Sequence, residues 1–427
     1  MVSAASADSI FVSNRDNANP DNLHVFNYSS DGTLSSNKLK FADHNNGSGA
    51  FVDPYDTSSI YVSGAYRGGS FHQVQICKLD ADLSSTTPIW NKQTNFSVNV
   101  RSSSGAPVIT ENYIWQHVKP DTSVTDGTTQ YESYIVQFDK DGTKQTVLKP
   151  DVNQSGETGS NSTQYFDVSL DETRLAYIDI TNTGDTHLCY FDLSDNSRVW
   201  HRELDDNNTY PRQVAIDNSD NGVIACTYDA TYAYLEKYSA TGSFVWKTRL
   251  GPDSGGNTIV TPQIYLKPDG SEGIVKVNNT RTDDYELFIA PFNPSNGTMG
   301  SKCTRITGSY NRFSVDCVAP LLIGDRAYVT SYIYNTNGGT TFENMLIKLD
   351  TDFADSATID NVFQNRVVIT GNLTTSTEMS VTSQTNTSTS LSTATLSTVT
   401  SSLFFETAGP SNISSSTLTP TKYEWRS

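Results

Sequence analysis

A short pattern recurs seven times along this chain of 427 residues and limits the possible folds to a few repeat architectures. Each copy is an apolar run that ends on an aromatic residue or Leu, the anchor, and continues into a polar turn. Successive anchors are 51, 59, 53, 47, 54 and 57 residues apart, which indicates seven units of one structural type. The anchors are Tyr28, Leu79, Phe138, Phe191, Tyr238, Phe292 and Leu349.

Each unit is predicted to contain four short β-strands. A strand precedes the anchor strand in every unit, and its first two copies, residues 9–13 and 59–63, are nearly identical. Three units carry a Trp after the anchor, at Trp90, Trp200 and Trp246. The runs are rich in β-branched and aromatic residues, are bounded by turn formers, and have no helical period. The pattern therefore predicts an all-β fold, a seven-bladed β-propeller of four-stranded blades, over residues 1–371.

The two ends of the repeat array suggest how the ring closes. No apolar run precedes residues 9–13, so the first unit lacks an innermost strand, whereas a spare run follows the seventh unit at residues 365–370. A closed ring protects the strand edges that an open array would expose. We therefore expect residues 365–370 to complete the first blade.

Residues 237–247 carry a rhythm of apolar residue, Gly, apolar residue, Trp and Lys. In this rhythm they resemble the repeats of quinoprotein-like β-propellers, and the resemblance implies the propeller fold alone. Quinoprotein enzymes hold their cofactor with two adjacent cysteines, a Trp and calcium-binding carboxylates. No cysteines are adjacent here, so we expect no cofactor.

The cysteines also argue against a disulfide framework or a zinc site, because they are odd in number and widely spaced. We expect them to be free and to pack as small hydrophobes. They are Cys77, Cys189, Cys226, Cys303 and Cys317.

Residues 372–427 are predicted to form an extended arm. Between residues 372 and 421, 28 of 50 residues are Ser or Thr, and the only charged residues are Glu378 and Glu406. Such a segment buries too little surface to order itself, so the propeller's flank or another chain must hold it. We expect strand addition to the sheet edge of a partner, with the arm anchoring the protein in a larger assembly. The expected assembly contacts are Leu396, Val399, Phe404, Phe405, Tyr423 and Trp425.

The charge balance excludes two classes of partner. The chain has 29 Lys and Arg against 47 Asp and Glu, a formal net charge of -18. So few cations make a poor ligand for nucleic acid or for an anionic membrane. No apolar run is long enough to cross a bilayer, so no membrane insertion is expected. The first eight residues lack the basic and apolar regions of a secretory signal, which indicates synthesis in a cytoplasm.

No catalytic or metal-binding residues are predicted. The chain has no Gly-x-Ser-x-Gly, no P-loop and no Gly-x-Gly-x-x-Gly. His24 and His187 each lie four residues before an anchor, so they are equivalent structural positions. Two acidic segments, residues 80–82 and 139–142, each follow an anchor and lack the ligands of a calcium loop, so they are predicted to be turns.

Ligand-binding residues are predicted on the face that carries the longer connections, which are rich in Gly, Asn, Ser and Tyr. An Arg follows three of the anchors after 20 to 22 residues, and two of these Arg share a preceding Tyr, in Tyr210-Pro-Arg212 and Tyr310-Asn-Arg312. The arginines either pair with neighbouring carboxylates or bind an anionic ligand. The candidate ligand-binding residues are Arg101, Arg212, Arg312, Tyr210, Tyr310, Tyr66 and Arg67.

The composition resembles that of tail and surface proteins of marine bacteriophages: acidic, poor in Lys and Arg, and rich in Ser, Thr, Asn and Tyr. The resemblance implies a non-enzymatic structural protein of a virion, made in the host cytoplasm. Its propeller would contact a host surface glycan or another protein, and its arm would bind other virion proteins.

Two alternatives remain open. One is a bacterial adhesion protein on the cell surface. The other is a propeller glycoside hydrolase or lyase that acts on a polysaccharide, which requires two positioned acids. The carboxylates available for that chemistry are Asp121, Asp126, Glu157, Asp205 and Asp206.

Overall fold

The structure is a computed structural model that describes β-strands and the connections between them. The described residues are 2–6, 9–15, 22–29, 34–42, 44, 49–66, 73–94, 106–119, 133–151, 166–180, 185–204, 210–229, 231–251, 258–280, 285–301, 303–308, 311–314, 321–323, 326–335, 341–350, 357–360, 370–376, 380–383, 389–391, 395–398, 406–407 and 413–415. Within these ranges no helix has the length and hydropathy that crossing a bilayer requires. The chain divides into two compact units: residues 1–207 with 388–417, and residues 208–387 with 418–427.

Unit 1 contains four antiparallel sheets, each a meander of four consecutive strands, the blade of a β-propeller. Blade 1 consists of β1 (Val2–Ser6), β2 (Ser9–Arg15), β3 (Leu23–Tyr28) and β4 (Leu34–Phe41). Blade 2 consists of β5 (Gly49–Val52), β6 (Ser59–Tyr66), β7 (Gln73–Asp80) and β8 (Trp90–Gln93). Blade 3 consists of β9 (Val108–Ile109), β10 (Tyr113–Val118), β11 (Tyr134–Asp139) and β12 (Lys144–Asp151). Blade 4 consists of β13 (Phe166–Val168), β14 (Arg174–Ile180), β15 (Thr186–Asp192) and β16 (Ser197–Leu204).

Unit 2 contains two more such blades. Blade 5 consists of β17 (Tyr210–Asp217), β18 (Gly222–Tyr228), β19 (Ala233–Tyr238) and β20 (Phe244–Gly251). Blade 6 consists of β21 (Thr258–Leu266), β22 (Gly273–Thr280), β23 (Tyr285–Phe292) and β24 (Cys303–Gly308). The predicted all-β propeller of four-stranded blades is confirmed.

The predicted number of seven blades is wrong, because the described residues form six. The last of the seven sequence repeats contains β25 (Asn311–Ser314), β26 (Leu321–Ile323), β27 (Arg326–Asn335) and β28 (Thr341–Asp350). Both β25 and β26 pair with one edge of β27, and β28 pairs with the other edge. The next strand, β29 (Ala357–Asp360), pairs with β30 (Thr370–Ser376) in the sheet of blade 6. The strand that would complete a seventh blade is thus used elsewhere.

The repeat pattern corresponds to fixed positions in the meander. In each of the six blades the anchor lies in the third strand, and the strand predicted before it is the second strand. In the last repeat the corresponding strands are β28, which contains Leu349, and β27. Trp90, Trp200 and Trp246 lie in fourth strands. The position of a strand within its blade was therefore predictable from the sequence, whereas the number of blades was not.

Neighbouring blades within a unit pack face to face, which explains the nearly continuous apolar runs. Successive side chains of a strand point to opposite faces of its sheet. In β6, Ile60 and Val62 join a buried cluster with blade 1, whereas Tyr61 joins a cluster with blade 3. Blades 3 and 4 share a further cluster in unit 1, and blades 5 and 6 share one in unit 2. A strand buried on both faces needs apolar residues on both.

A Trp at the start of a fourth strand docks on the next blade. The Trp90 Nε1–H donates to the carbonyl of Lys140 at 3.0 Å, and the Trp246 Nε1–H donates to the carbonyl of Pro294 at 2.9 Å. Each receiving turn has a glycine at positive φ, Gly142 at 78° and Gly297 at 70°. A Cβ on either glycine would lie 2.6 Å from the indole ring, so only Gly allows this close approach.

The C-terminal arm adds one strand to each of the six blades. In unit 2, β30 pairs with β24 of blade 6, and β31 (Ser380–Ser383) pairs with β20 of blade 5. In unit 1, blades 4, 3, 2 and 1 receive in turn β32 (Thr389–Leu391), β33 (Thr395–Thr398), β34 (Glu406–Thr407) and β35 (Ile413–Ser415). The arm thus visits the blades in the reverse of their chain order. Strand addition was predicted on a partner's sheet edge, whereas the arm pairs here with the chain's own sheets.

The inner strand of blade 1 comes from the N-terminal end of the chain. β1 pairs antiparallel with β2 and takes the place that the sequence assigned to residues 365–370. Of that segment only Thr370 is described, and it begins β30 in blade 6. The sequence Val-Ser-Ala-Ala-Ser of β1 has no bulky apolar pattern, but strand pairing by the main chain does not require one.

Candidate functional site

The loop end of a blade is defined here as the end at which the second strand passes into the third and the fourth strand leaves for the next blade. In blade 5, four tyrosines and two arginines lie at this end, in two groups on opposite faces of the sheet. We call them the Tyr–Arg cluster; they are Tyr210, Arg212, Tyr228, Tyr232, Tyr234 and Arg249.

The first half of the cluster lies on the two inner strands of blade 5. Tyr210 and Tyr228 are directly opposite each other, and their ring centroids are 5.4 Å apart. The Arg212 guanidinium carbon lies 4.8 Å from the centre of the Tyr228 ring, and its Nη2 donates to the Tyr228 hydroxyl at 3.1 Å. Tyr210 remains 39% exposed. A solvent-facing aromatic ring thus stands beside a guanidinium that a second ring holds in place.

The second half of the cluster lies on the two outer strands. The Arg249 guanidinium carbon lies 4.4 Å from the centre of the Tyr232 ring. The Tyr234 hydroxyl donates to Asp229 Oδ2 at 2.6 Å, and Asp229 Oδ1 accepts the backbone N–H groups of Thr231 and Tyr232. This Asp-centred turn sets the positions of both tyrosine rings.

A β-bulge brings Arg212 to the cluster. The register of β17 and β18 shifts between Pro211 and Gln213, so Arg212 is the extra residue of the bulge. Bulges are a common device for re-aiming one side chain at the edge of a sheet. The next residue holds the strand in place, because the Gln213 side chain donates to the carbonyl of Ile264 and accepts from its N–H, at 2.9 and 2.8 Å.

The structure brings two of the seven predicted ligand-binding residues together, Tyr210 and Arg212. Tyr66 ends β6 in unit 1, half-buried, with its ring 5.7 Å from that of His44. The backbone of Arg312 lies in β25, opposite Tyr334. Arg67, Arg101 and Tyr310 lie outside the described residues, as do the assembly contacts Val399, Phe404, Phe405, Tyr423 and Trp425. Leu396 lies in β33, opposite Pro150 of this chain.

A buried polar layer lies at the loop ends of blades 3 and 4, above their shared apolar cluster. The Lys119 ammonium donates to Asp179 Oδ2 at 2.9 Å, and both side chains are 0% exposed. The Tyr177 hydroxyl donates to the same oxygen at 2.6 Å. Because a buried charge is tolerated only when it is paired and hydrogen-bonded, each of these two side chains requires the other.

Three histidines belong to this layer. Burial lowers the pKa of His117 from its usual 6.5 to about 3, with a smaller contribution from the Lys119 charge. His187 Nδ1 and His201 Nε2 lie 2.9 Å apart. Burial also lowers the pKa of His201 to about 4 and that of His187 below its usual value. The three histidines are therefore neutral at pH 7, and the charge of Lys119 is balanced by that of Asp179.

The buried histidines predict a loss of stability in mild acid. His44, in blade 1, has a pKa lowered to about 4 by burial. Between pH 6.5 and 4 the unfolded chain binds a proton at His44 and at His117 that the folded chain does not bind. The free energy of unfolding therefore falls as the pH falls, by about 1 kcal/mol per histidine between pH 7 and pH 5.5.

Urea unfolding at pH 7 and pH 5.5 measures this effect. A His44→Phe variant keeps an aromatic ring beside Phe41 and Tyr66 and is expected to lose about 1 kcal/mol less than the parent protein over the same interval. An equal pH dependence in both proteins would contradict a neutral His44 in the fold.

The described residues contain no candidate metal site. They contain no group of three or more His, Cys, Asp and Glu side chains that could hold a metal ion. Cys77, Cys189, Cys226 and Cys303 are buried and form no disulfide. The loop carboxylates considered for hydrolysis, Asp121, Asp126, Glu157, Asp205 and Asp206, lie outside the described residues.

Sequence reasoning did not find Tyr228, Arg249, Lys119 or Asp179. For Asp179 a signal was present, because a carboxylate interrupts the apolar run Leu-Ala-Tyr-Ile-Asp-Ile of β14. An acidic residue inside a strand that is buried on both faces requires a cationic partner. No comparable signal marks Tyr228 and Arg249, which lie on different strands from Arg212.

No protein-family model and no curated protein matches the chain. Several solved structures resemble it in fold. The periplasmic gluconolactonase of Pseudomonas aeruginosa is 12% identical with a TM-score of 0.47, over 80% of this chain and 99% of that protein. The WD40 domain of Toxoplasma gondii coronin is 9% identical with a TM-score of 0.41, over 82% and 80%. The Dos1 propeller is 9% identical with a TM-score of 0.43, over 79% and 75%. At these values the likeness carries no inference about activity, substrate or partner.

Proposed function

We propose that this chain is a non-enzymatic recognition protein that binds an acidic glycan at the Tyr–Arg cluster of blade 5. The observation that carries the proposal is the exposed Tyr210 ring beside a guanidinium that Tyr228 holds in place. A flat exposed ring suits the apolar face of a sugar, and a guanidinium suits a carboxylate or sulfate with paired donors.

The electrostatics of the chain favour an anionic ligand at this place. The protein carries a net charge of -18, which repels anions in general. Two arginines held at one loop end therefore mark a local exception. Tyrosine rings hold both guanidinium groups in position, so little side-chain entropy is lost when a ligand binds.

A role in a virus particle rests on the composition of the chain alone and stays a prediction. In that setting the protein is a tail or surface component of a virus particle, and the glycan belongs to the host surface. The recognition proposal does not depend on this setting, because the cluster would bind the same chemistry on a cellular adhesion protein.

Binding of acidic and neutral oligosaccharides, measured by an array and then by calorimetry, tests the proposal. We expect a carboxylated or sulfated glycan to bind and its neutral counterpart to bind at least tenfold more weakly. Tyr210→Ala and Arg212→Lys are each expected to weaken binding about tenfold, which corresponds to about 1.4 kcal/mol. Higher salt should weaken binding by the parent protein.

The matched control is Tyr55→Ala. Tyr55 is 45% exposed and also has a cation beside its ring, with Lys140 Nζ 5.6 Å from the centroid. It lies at the opposite end of its blade from the loop end, between β5 and β6. We expect its removal to leave glycan binding unchanged. An array without acidic ligands, or equal losses in Tyr55→Ala and Tyr210→Ala, would remove the basis of the proposal.

A further inference from the structure

The pairing between the arm and the blades follows one register rule. In all six blades the arm places a Ser or Thr directly opposite a Lys or Arg of the fourth strand. From blade 6 to blade 1 the pairs are Thr374 with Arg305, Thr382 with Arg249, Ser390 with Arg202, Ser397 with Lys149, Thr407 with Lys92 and Ser414 with Lys40. The arm is therefore itself a repeat, matched to the repeat of the blades.

A second residue type extends the rule. In four blades the arm residue before the Ser or Thr is apolar, and it lies opposite the residue after the Lys or Arg. These pairs are Leu373 with Ile306, Val381 with Leu250, Leu396 with Pro150 and Ile413 with Phe41. Leu250 and Phe41 are fully buried. A common dipeptide in the arm thus meets a common dipeptide at the blade edge.

The edges also differ from the rest of the chain in charge. The six fourth strands contain ten Lys and Arg but only two acidic residues, Asp151 and Glu203. The arm from residue 372 to 421 has no Lys or Arg and two Glu, and the whole chain has a net charge of -18. Two copies of this protein therefore repel each other overall, but the arm of one copy and the edges of the other do not.

We propose that the fourth-strand edges are strand-acceptor sites for the arm of a second copy of this chain, so that neighbouring copies assemble by exchanging arms. The contacts made in exchange are the same as those within one chain, so effective concentration decides between the two arrangements. Edge pairing through the main chain provides the binding, and the Lys/Arg–Ser/Thr register sets the position. The inference goes beyond the glycan contact and does not rest on it.

Variants of the full chain that each carry one added cysteine test the exchange. Lys149→Cys and Ser397→Cys place thiols on directly opposite residues of β12 and β33, within the Cα separation that a disulfide can bridge. The two variants are mixed, concentrated and oxidised, and then separated without reductant. We expect a reducible band at twice the chain mass that increases with protein concentration.

Three controls make the outcome decisive. Lys144→Cys, on the same strand but outside the pairs that β12 and β33 form among the described residues, should give at most a fifth of that band when mixed with Ser397→Cys. The parent protein reports any contribution of its native cysteines. The double variant K149C/S397C reports pairing within one chain.

The proposal is overturned if the double variant cross-links only within single chains and the mixture of the two variants gives no band at twice the chain mass at any concentration. Failure of the double variant to cross-link overturns the register itself. If Lys149→Cys does not fold, Lys92→Cys with Thr407→Cys makes the same test on blade 2. Glycan binding is measured separately, so failure of either proposal leaves the other unaffected.

Discussion

A Lys119→Met variant is expected to lose about 3–5 kcal/mol of unfolding free energy, because it leaves a carboxylate buried without its cation. Asp179 is 0% exposed, and its Oδ2 accepts from Lys119 at 2.9 Å and from the Tyr177 hydroxyl at 2.6 Å. Met has nearly the length of Lys and keeps the apolar stem, so the change removes the ammonium and little packing. Urea unfolding at pH 7 measures the loss.

Two further variants separate the buried charge from the general effect of removing a lysine. Lys267 pairs with Glu272 at 2.6 Å, but both side chains are about one-third exposed, at 32% and 29%. Lys267→Met is therefore expected to cost less than about 1 kcal/mol. The double variant K119M/D179N removes both charges and should be more stable than K119M alone. A double variant less stable than K119M would show that the cost of K119M is not that of an unpaired carboxylate.

A Trp246→Ala variant is expected to destabilise unit 2 by about 3–5 kcal/mol. The indole is nearly buried, belongs to the apolar cluster that blades 5 and 6 share, and donates to the Pro294 carbonyl at 2.9 Å. Truncation leaves a cavity beside Gly297, because the indole ring fills the space that a side chain at this position would occupy. The loss therefore includes packing, a hydrogen bond and the contact between two blades.

The neighbouring residue provides the control for Trp246. Val245 is 44% exposed on the same strand, so Val245→Ala is expected to change the unfolding free energy by less than about 0.5 kcal/mol. Trp246→Phe should fall between the two variants, since it keeps most of the ring volume but loses the Nε1–H donor. Similar urea midpoints for Trp246→Ala and Val245→Ala would show that the indole does not join the blades.

The strand order within the six blades was predictable because neighbouring strands of a blade follow one another in the sequence. A strand that packs between two neighbouring sheets is apolar on both faces, as Ile60, Tyr61 and Val62 show, and that requirement recurs in every blade. The turn after the third strand is local as well. Asp139 accepts the backbone N–H groups of Asp141 and Thr143, and Gly142 has the positive φ that closes the turn.

The candidate site was predictable only in part. Tyr210 and Arg212 are separated by a single Pro, so their proximity follows from the sequence. Tyr228 and Arg249 reach the loop end by antiparallel pairing of blade 5, and no local signal identifies them. Lys119 and Asp179 are 60 residues apart and meet because blades 3 and 4 pack together. Sequence showed which residues were unusual, and packing selected their partners.

Only the tertiary structure decided which strand occupies each sheet edge. The recurring apolar runs of this chain determined the second and third strands of the six blades and the positions of their anchors. They did not determine that β29 would join β30 in blade 6, that β1 would fill the inner edge of blade 1, or that the Ser/Thr-rich arm would pair with six fourth strands. Edge pairing is made by main-chain groups, which are the same in every residue apart from Pro, so the strand that occupies an edge depends on which chain segment the folded body brings within reach.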